Sequence, residues 1–199
     1  MKKLLKRTGL TALIIAVGWT LLTVWAERKG PKRSWSMGNP AAKKKAMIVY
    51  DPDPFYNLDE QISRSFGQAL ADQGMYVQVA TVASATDATD QPADLYVFCA
   101  NTYNWRPDWA LCHFIEKQVI LADKPVVAIT LGAGTTDASR KALEELILSR
   151  QGNLLDSRSL WLARPNDESR LNESNRKVAV SMAYQWGEKI AERIRNWAS

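Results

Sequence analysis

The chain has 199 residues, which corresponds to one domain of ordinary size with short appendages. Its composition, 46% apolar and 24% charged, is that of a globular protein. Two cysteines and one histidine cannot build a disulfide framework or a multi-histidine metal site. Residues 1–45 hold 11 Lys and Arg and one Glu, a net +10, whereas residues 46–199 hold 15 and 20, a net −5. Because the basic charge is confined to the N-terminal arm, we expect no nucleic-acid partner.

The N-terminal arm contains a long uncharged apolar segment, residues 8–26. As a helix, its 19 residues would measure roughly 28 Å, close to the hydrocarbon thickness of a bilayer. Trp19 and Trp25 lie toward its C-terminal end, where rings that favour the membrane interface are expected. We therefore predict a basic tail at residues 1–7 and a transmembrane signal anchor at 8–26 that contacts the lipid bilayer. The alternative is a signal peptide cleaved after Ala26.

These features predict a single-pass membrane protein. If the source is a bacterium, we expect the protein in the inner or plasma membrane. The basic residues before and after the span nearly balance, so the side of the membrane that carries the domain stays open. Residues 27–45 contain Gly30-Pro31 and Gly38-Asn39-Pro40 without a hydrophobic period. We predict a basic flexible linker there, either close to anionic lipid headgroups or simply solvated.

The remaining chain, residues 46–199, alternates short apolar runs with amphipathic segments. The runs predict five buried strands, and the amphipathic segments predict helices that begin near residues 57, 108, 136 and 175. The strands are expected at 46–50, 76–82, 94–100, 125–131 and 159–162. The connector 83–93 is too short and polar for more than a helical turn. Strands separated by helices imply an α/β domain, a three-layer doubly wound parallel sheet whose ligands bind at the carboxyl ends of the strands.

Two segments at those strand ends carry a family resemblance. Residues 96–109 (YVFCANTYNWRPDW) place aromatic residues after the third strand, and residues 123–155 comprise a strand, a glycine loop and a helix. Together with the order of the elements, they resemble the flavodoxin-like family over roughly residues 46–195. The resemblance implies a five-stranded parallel sheet of order 2-1-3-4-5, a bound FMN or related flavin, and flavin-dependent electron transfer or oxidoreductase chemistry.

The resemblance also implies which residues would hold the flavin. One group follows the third strand, where an aromatic ring would stack on the isoalloxazine, and the other follows the fourth strand, where backbone groups would donate hydrogen bonds. The eight candidates are Asn101, Thr102, Tyr103, Trp105, Gly132, Ala133, Gly134 and Thr135.

The loop after the first strand departs from the family pattern. Flavodoxins hold the FMN phosphate there with Ser, Thr and Gly residues, but residues 51–57 read DPDPFYN. Two prolines remove N–H donors, and two aspartates repel a phosphate. Two hypotheses follow. The first is a membrane-anchored flavin protein whose acidic domain docks a basic redox partner, and the alternative is a cofactor-free scaffold for interaction or assembly.

Overall fold

A computed structural model describes residues 2–86 and 93–197, with side chains from residue 8 onward. Part of the connector predicted at 83–93 therefore lies outside the described residues. The helices are α1 (Lys2–Ala26), α2 (Leu58–Asp72), α3 (Val82–Ala85), α4 (Trp109–Lys117), α5 (Asp137–Ser149) and α6 (Asn175–Arg195). The strands are β1 (Ser34–Met37), β2 (Lys45–Tyr50), β3 (Tyr76–Thr81), β4 (Leu95–Tyr103), β5 (Arg106–Pro107), β6 (Pro125–Gly132) and β7 (Asn153–Trp161).

Helices cover both faces of one mostly parallel sheet, as the alternating pattern predicts. On one face, α2 and α6 bury the apolar side chains that Ile48, Val79 and Val97 present. On the other face, α4 and α5 pack against Val49, Phe98 and their neighbours. Strands β2, β4 and β6 are buried almost throughout, because both faces are covered.

The prediction of five strands was wrong, and the sheet order differs accordingly. The observed order is β1-β3-β2-β4-β6-β7, with β5 paired to β4 outside this path. Strands β1 and β5 are antiparallel additions, to β3 and β4 respectively. Numbered among themselves, the five parallel strands follow the order 2-1-3-4-5. The parallel core thus places the ends of β2, β4 and β6 side by side.

Strand β1 arises in the segment 27–45, where we expected a flexible linker. Its Trp35 packs on the core, stacked on Tyr50 at 6.5 Å between ring centroids, whereas Ser34 is exposed. This alternation makes β1 a half-buried edge strand. A four-residue strand with two apolar residues is too short to show such a period in sequence, and its pairing partners on β3 lie at least 40 residues away.

Helix α1 contains a 19-residue apolar span, Thr8–Ala26, with a mean hydropathy of 1.8. The span is long and apolar enough to cross a membrane, and 6% of it is buried against the rest of the described chain. A core helix of a soluble domain would be mostly buried, so its exposure is consistent with a span or a signal sequence.

Gly187 fixes the close approach of α6 to α2, and its replacement gives a test of the packing. A Cβ at this position would lie 2.7 Å from the carbonyl oxygen of Phe66 and 2.8 Å from the Cβ of Ala69. We expect Gly187→Ala to lower the free energy of unfolding by about 1–2 kcal/mol, since overpacking outweighs the gain in helix propensity. Denaturant unfolding of the full chain in detergent measures the change. Gly18→Ala, whose Cβ would meet nothing within 4 Å, is the control and should leave the domain unaffected.

Candidate functional site

Two clefts open at the carboxyl ends of the parallel strands. The larger one, about 600 Å³, lies beside the loop 51–57 that follows β2. The smaller one, about 260 Å³, lies between the β4–β5 hairpin and the loop that follows β6. Ligands of doubly wound sheets bind at this edge, so both clefts are candidates.

Carboxylates of the loop 51–57 and of α2 accept the backbone N–H groups of the loop. The Asp53 Oδ1 atom accepts the N–H groups of Phe55 (2.6 Å) and Tyr56 (3.1 Å). The Asp59 Oδ2 atom accepts the N–H of Asp53 at 2.6 Å. The two prolines of the loop have no N–H. No backbone donor from residues 52–56 is therefore left for a phosphate, and negative charge already occupies the position where a phosphate would accept hydrogen bonds.

Asn101 joins this loop to the neighbouring elements from a buried position. Its Nδ2 atom donates to the carbonyl of Asp51 at 2.9 Å and to the Asp59 carboxylate at 3.0 Å. Its backbone N–H donates to Asp108 at 3.0 Å, and Asp108 also caps α4 by accepting the N–H of Leu111. Both partners of the amide are acceptors, which fixes its orientation. Asn101 is 1% exposed, so the structure gives it a supporting position away from the surfaces of the two clefts.

Tyr103 follows Asn101 on the same face of β4, because side chains alternate along a strand. Its hydroxyl donates to the Asp53 Oδ2 atom. Burial and this contact raise the pKa of the Tyr103 hydroxyl. Thr102 lies on the opposite face and donates to the Ser139 hydroxyl at 3.0 Å. The alternation thus directs Tyr103 toward the loop 51–57 and Thr102 toward the smaller cleft.

The smaller cleft gathers six of the eight residues that the sequence singled out. They are Thr102, Trp105, Gly132, Ala133, Gly134 and Thr135. Asn104 and Thr136, adjacent to these segments, also line it. Trp19 of α1 closes one side, a contribution that no local sequence signal could indicate. Flavin binding by these residues stays a prediction, but the structure brings them around one space.

The hairpin between β4 and β5 holds Trp105 in a strained and exposed position. The two-residue loop has positive φ at Asn104 (48°) and at Trp105 (62°), the pattern of a type I′ turn. Asparagine tolerates this left-handed conformation, but a bulky residue rarely adopts it. Trp105 is also 69% exposed, so little burial compensates for the strain. Backbone strain retained at a surface residue suggests a functional role for its ring.

The larger cleft is covered by the chain that leaves α1. Trp25, Arg28 and Arg33 line it opposite the loop 51–57. Gly30 lies so close to the loop that a Cβ there would be 2.6 Å from Pro52, and its N–H donates to Asp51 Oδ1 at 3.0 Å. Segment 27–33 therefore packs directly on the loop that would carry a phosphate in a flavodoxin.

Buried carboxyl groups dominate the electrostatics of this region. Burial raises the pKa of Asp51 to about 6, although the Gly30 N–H opposes the shift. Burial likewise raises the pKa of Asp59 to about 6, against the hydrogen bonds from Asn101 and the backbone. Burial and the Asp51 carboxylate raise the pKa of Asp108 well above its ordinary value. An anionic ligand at the loop would add charge to a cluster that is already costly to ionise.

The residues present fit a flavin only in part. The loop 51–57 does not fit a phosphate, because the backbone donors of residues 52–56 are occupied or missing and the loop carries two aspartates. The smaller cleft, with an exposed Trp105 and a glycine loop, fits a planar ring. At about 260 Å³ it is smaller than the roughly 300 Å³ at which pockets for drug-sized ligands begin. It could hold part of a ring system and not a complete mononucleotide.

No model of a known protein family matches the sequence, and no curated protein matches it. Solved structures do resemble the chain. A flavodoxin from the domain Archaea is 11% identical, with a TM-score of 0.56 over 76% of this chain and 99% of that one. The WrbA-like flavodoxin of Agrobacterium tumefaciens is 14% identical, with a TM-score of 0.54 over 77% and 99%. The NAD(P)H:quinone oxidoreductase of Methanothermobacter marburgensis is 11% identical, with a TM-score of 0.53 over 75% and 100%. The chain therefore has a flavodoxin-like fold.

The strain at Trp105 gives a testable difference between two substitutions. Trp105→Gly creates an Asn-Gly hairpin loop, the pair that type I′ turns favour. Trp105→Ala removes the same ring but keeps a Cβ in the left-handed region. We expect the glycine variant to be more stable than the alanine variant by about 1 kcal/mol, measured by thermal or denaturant unfolding. Equal stabilities would show that the backbone is not strained there.

The buried Asp51 carboxyl predicts a pH dependence of stability. The pKa of Asp51 is about 6 in the folded protein and about 3.9 in an unfolded chain. At pH values between the two, Asp51 takes up a proton when the chain folds. This group therefore makes the protein more stable as the pH falls from 7 to 4. Asp51→Asn keeps the acceptor for Gly30 and removes the charge. We expect it to stabilise the protein by up to about 3 kcal/mol at pH 7 and to have little effect at pH 4.

Thermal unfolding across this pH range measures the effect. Asp123→Asn, at an exposed turn, is the matched control and should show no such dependence. A stability difference between Asp51→Asn and the unmodified protein that stays constant from pH 7 to 4 would contradict the prediction.

Proposed function

We propose that this protein is a membrane-tethered flavodoxin-like protein that binds the ring of FMN or a related flavin in the smaller cleft and transfers electrons close to a membrane. The observation that carries the proposal is the convergence of Thr102, the strained Trp105 and the loop 132–135 around one cleft that could hold part of a flavin ring system. A flavin bound there would supply the redox chemistry, and the chain would supply stacking, hydrogen bonds and electrostatics.

The tether in this proposal is α1. Its span has the length and composition of a transmembrane helix, and its side chains are exposed. The competing explanation is a cleaved signal peptide. Mass spectrometry of the protein isolated from membranes distinguishes the two, because a product that lacks residues 1–26 would contradict the tether.

The closed loop 51–57 makes the proposed flavin specificity unusual. Flavodoxin-like sites that hold the phosphate with backbone N–H groups favour FMN over riboflavin. Here those N–H groups donate to Asp53 and Asp59, so the phosphate gains no hydrogen bonds there and meets negative charge. We therefore propose that the ring and not the phosphate provides the binding energy.

Titration of the detergent-purified full-length protein tests this specificity. Quenching of flavin fluorescence should give similar dissociation constants for riboflavin and FMN, within about threefold of each other. Trp105→Gly should weaken both by about tenfold or more, since stacking on an aromatic ring contributes about 1–3 kcal/mol. Phe55→Ala is the control, because this exposed ring lies at the same edge but outside the smaller cleft.

A substitution in the loop distinguishes the contribution of the phosphate to flavin binding from that of the ring. Asp53→Ser removes the charge that occupies the N–H groups of residues 55 and 56. It should strengthen FMN binding and leave riboflavin binding unchanged. Strong preference of the unmodified protein for FMN would contradict our interpretation of the loop, and absence of binding by either flavin would contradict the function.

A second candidate function has its own support in the same loop. A loop whose backbone donors at residues 52–56 are used internally or missing is also what a cofactor-free scaffold would have, serving as a membrane-tethered interaction or assembly module. In the flavin titration this candidate predicts featureless visible absorbance and no quenching. The acidic net charge of residues 46–199 would suit a basic protein partner in either case.

A further inference from the structure

The end of α1 is attached to the edge of the sheet that carries the clefts. Trp19 donates through Nε1 to Asn104 Oδ1 at 3.2 Å, and Asn104 Nδ2 donates to Thr23 Oγ1 at 3.2 Å. Glu27 is buried and accepts the backbone N–H of Trp109 at 3.1 Å. Positions 19, 23 and 27 are spaced by four residues, so they form one face of the helix. This face carries the hydrogen bonds to the domain, although Trp19 itself stays 61% exposed, and Trp25 on another face contacts Phe55.

This attachment fixes how close the hairpin lies to the apolar span. Trp19 is seven residues before Ala26, about 10 Å along the helix axis. The whole span measures roughly 28 Å against about 30 Å of hydrocarbon, so it has no spare length. The tip of the hairpin lies beside Trp19 and Thr23 and is therefore about 5–10 Å inside the hydrocarbon boundary. Interfacial segments reach the same depth.

The exposed aromatic residues of the domain concentrate at this same edge. In the described chain beyond α1, the exposed aromatic side chains are Phe55 (58%), Trp105 (69%) and Trp109 (50%). Phe55 packs on Trp25 of α1 with ring centroids 5.4 Å apart. At the opposite edge the exposed large apolar residues are aliphatic, namely Ile120 and Leu148. Aromatic rings, tryptophan above all, favour the membrane interface.

The basic charges at the end of α1 agree with a lipid surface, whereas the loop 51–57 that carries Phe55 is acidic. Arg28 lies over the Trp25 ring at 5.1 Å, and Lys29 follows it. Cations placed there can interact with anionic headgroups. The acidic loop that contains Asp167 and Glu173 follows β7, which lies two strands away from β4. This loop is therefore at the side of the edge that lies far from the exposed aromatic residues.

We infer that Phe55, Trp105 and Trp109 form a lipid-docking face that inserts at the headgroup–acyl boundary of the bilayer that α1 crosses. The inference rests on the proposed membrane tether and adds an orientation to it. The smaller cleft, walled by Trp19 and Trp105, opens at the membrane surface and not into bulk solvent. Compounds that reach the cleft would therefore approach from the lipid interface.

Nitroxide accessibility in lipid nanodiscs tests this inference on the full chain. Two variants, Trp105→Cys and Phe55→Cys, each carry a nitroxide label on the new cysteine. Both are made in a Cys112→Ser background, and Cys99 is kept because it is fully buried. Labels are compared in nanodiscs of phosphatidylcholine and phosphatidylglycerol by their collision with oxygen and with a water-soluble nickel complex. Leu148→Cys is the control at the opposite edge, and Val17→Cys is the control within the span.

We expect the labels at 105 and 55 to favour oxygen over the nickel complex at least several-fold more than the label at 148. Labels at 105 and 55 that match the one at 148, while the label at 17 is shielded from nickel, would overturn the docking face and leave the tether intact. A label at 17 that is accessible to nickel would overturn the tether and, with it, the docking face.

Discussion

Asn101 joins three elements at the carboxyl edge of the sheet, and the shape of the candidate site depends on this one side chain and its backbone. Its hydrogen bonds reach the end of β2, the first turn of α2 and the N-terminus of α4. Two of the acceptors are buried carboxyl groups, and leaving a buried acceptor without its hydrogen bond costs about 1–3 kcal/mol. Asp59 also accepts the N–H groups of Asp53 and Glu60, and Asp108 accepts that of Leu111. The side-chain amide and the backbone N–H of Asn101 thus join the loop 51–57 and the N-terminus of α4 in one network.

The same network explains why the first loop cannot act as an anion cradle. In a cradle, backbone N–H groups converge on an empty space that a ligand fills. Here Asp53 and Asp59 fill that space from within the chain, and Tyr103 adds a donor to Asp53. The loop is thus ordered without a ligand. The consequence is a division of the site, with a closed acidic half at β2 and an open half with an exposed aromatic ring at β4 and β6.

Sequence patterns predicted the parts of the fold that depend on local burial. The runs at 46–50 and 125–131 are apolar without interruption, as strands covered on both faces must be, and β2 and β6 occupy these positions. Strand β1 could not be predicted, because its stability comes from pairing with β3 and from Trp35 packing on a distant core. The direction of Tyr103 was not available in the sequence, because the expected strand ended at residue 100, whereas β4 runs to Tyr103. Alternation along this extension places Tyr103 opposite Thr102.

The position of α1 follows from contacts that no local pattern contains. Trp19, Thr23 and Glu27 are ordinary residues at the end of an apolar span, and their partners Asn104 and Trp109 lie more than 80 residues away. The chain between α1 and β2 is also bound, through Gly30 on Asp51 and through β1 in the sheet. A domain held at both ends of its connection cannot rotate freely below its helix. Whatever occupies the open half of the site must therefore act in a fixed direction relative to α1, and in a tethered protein that direction is toward the bilayer.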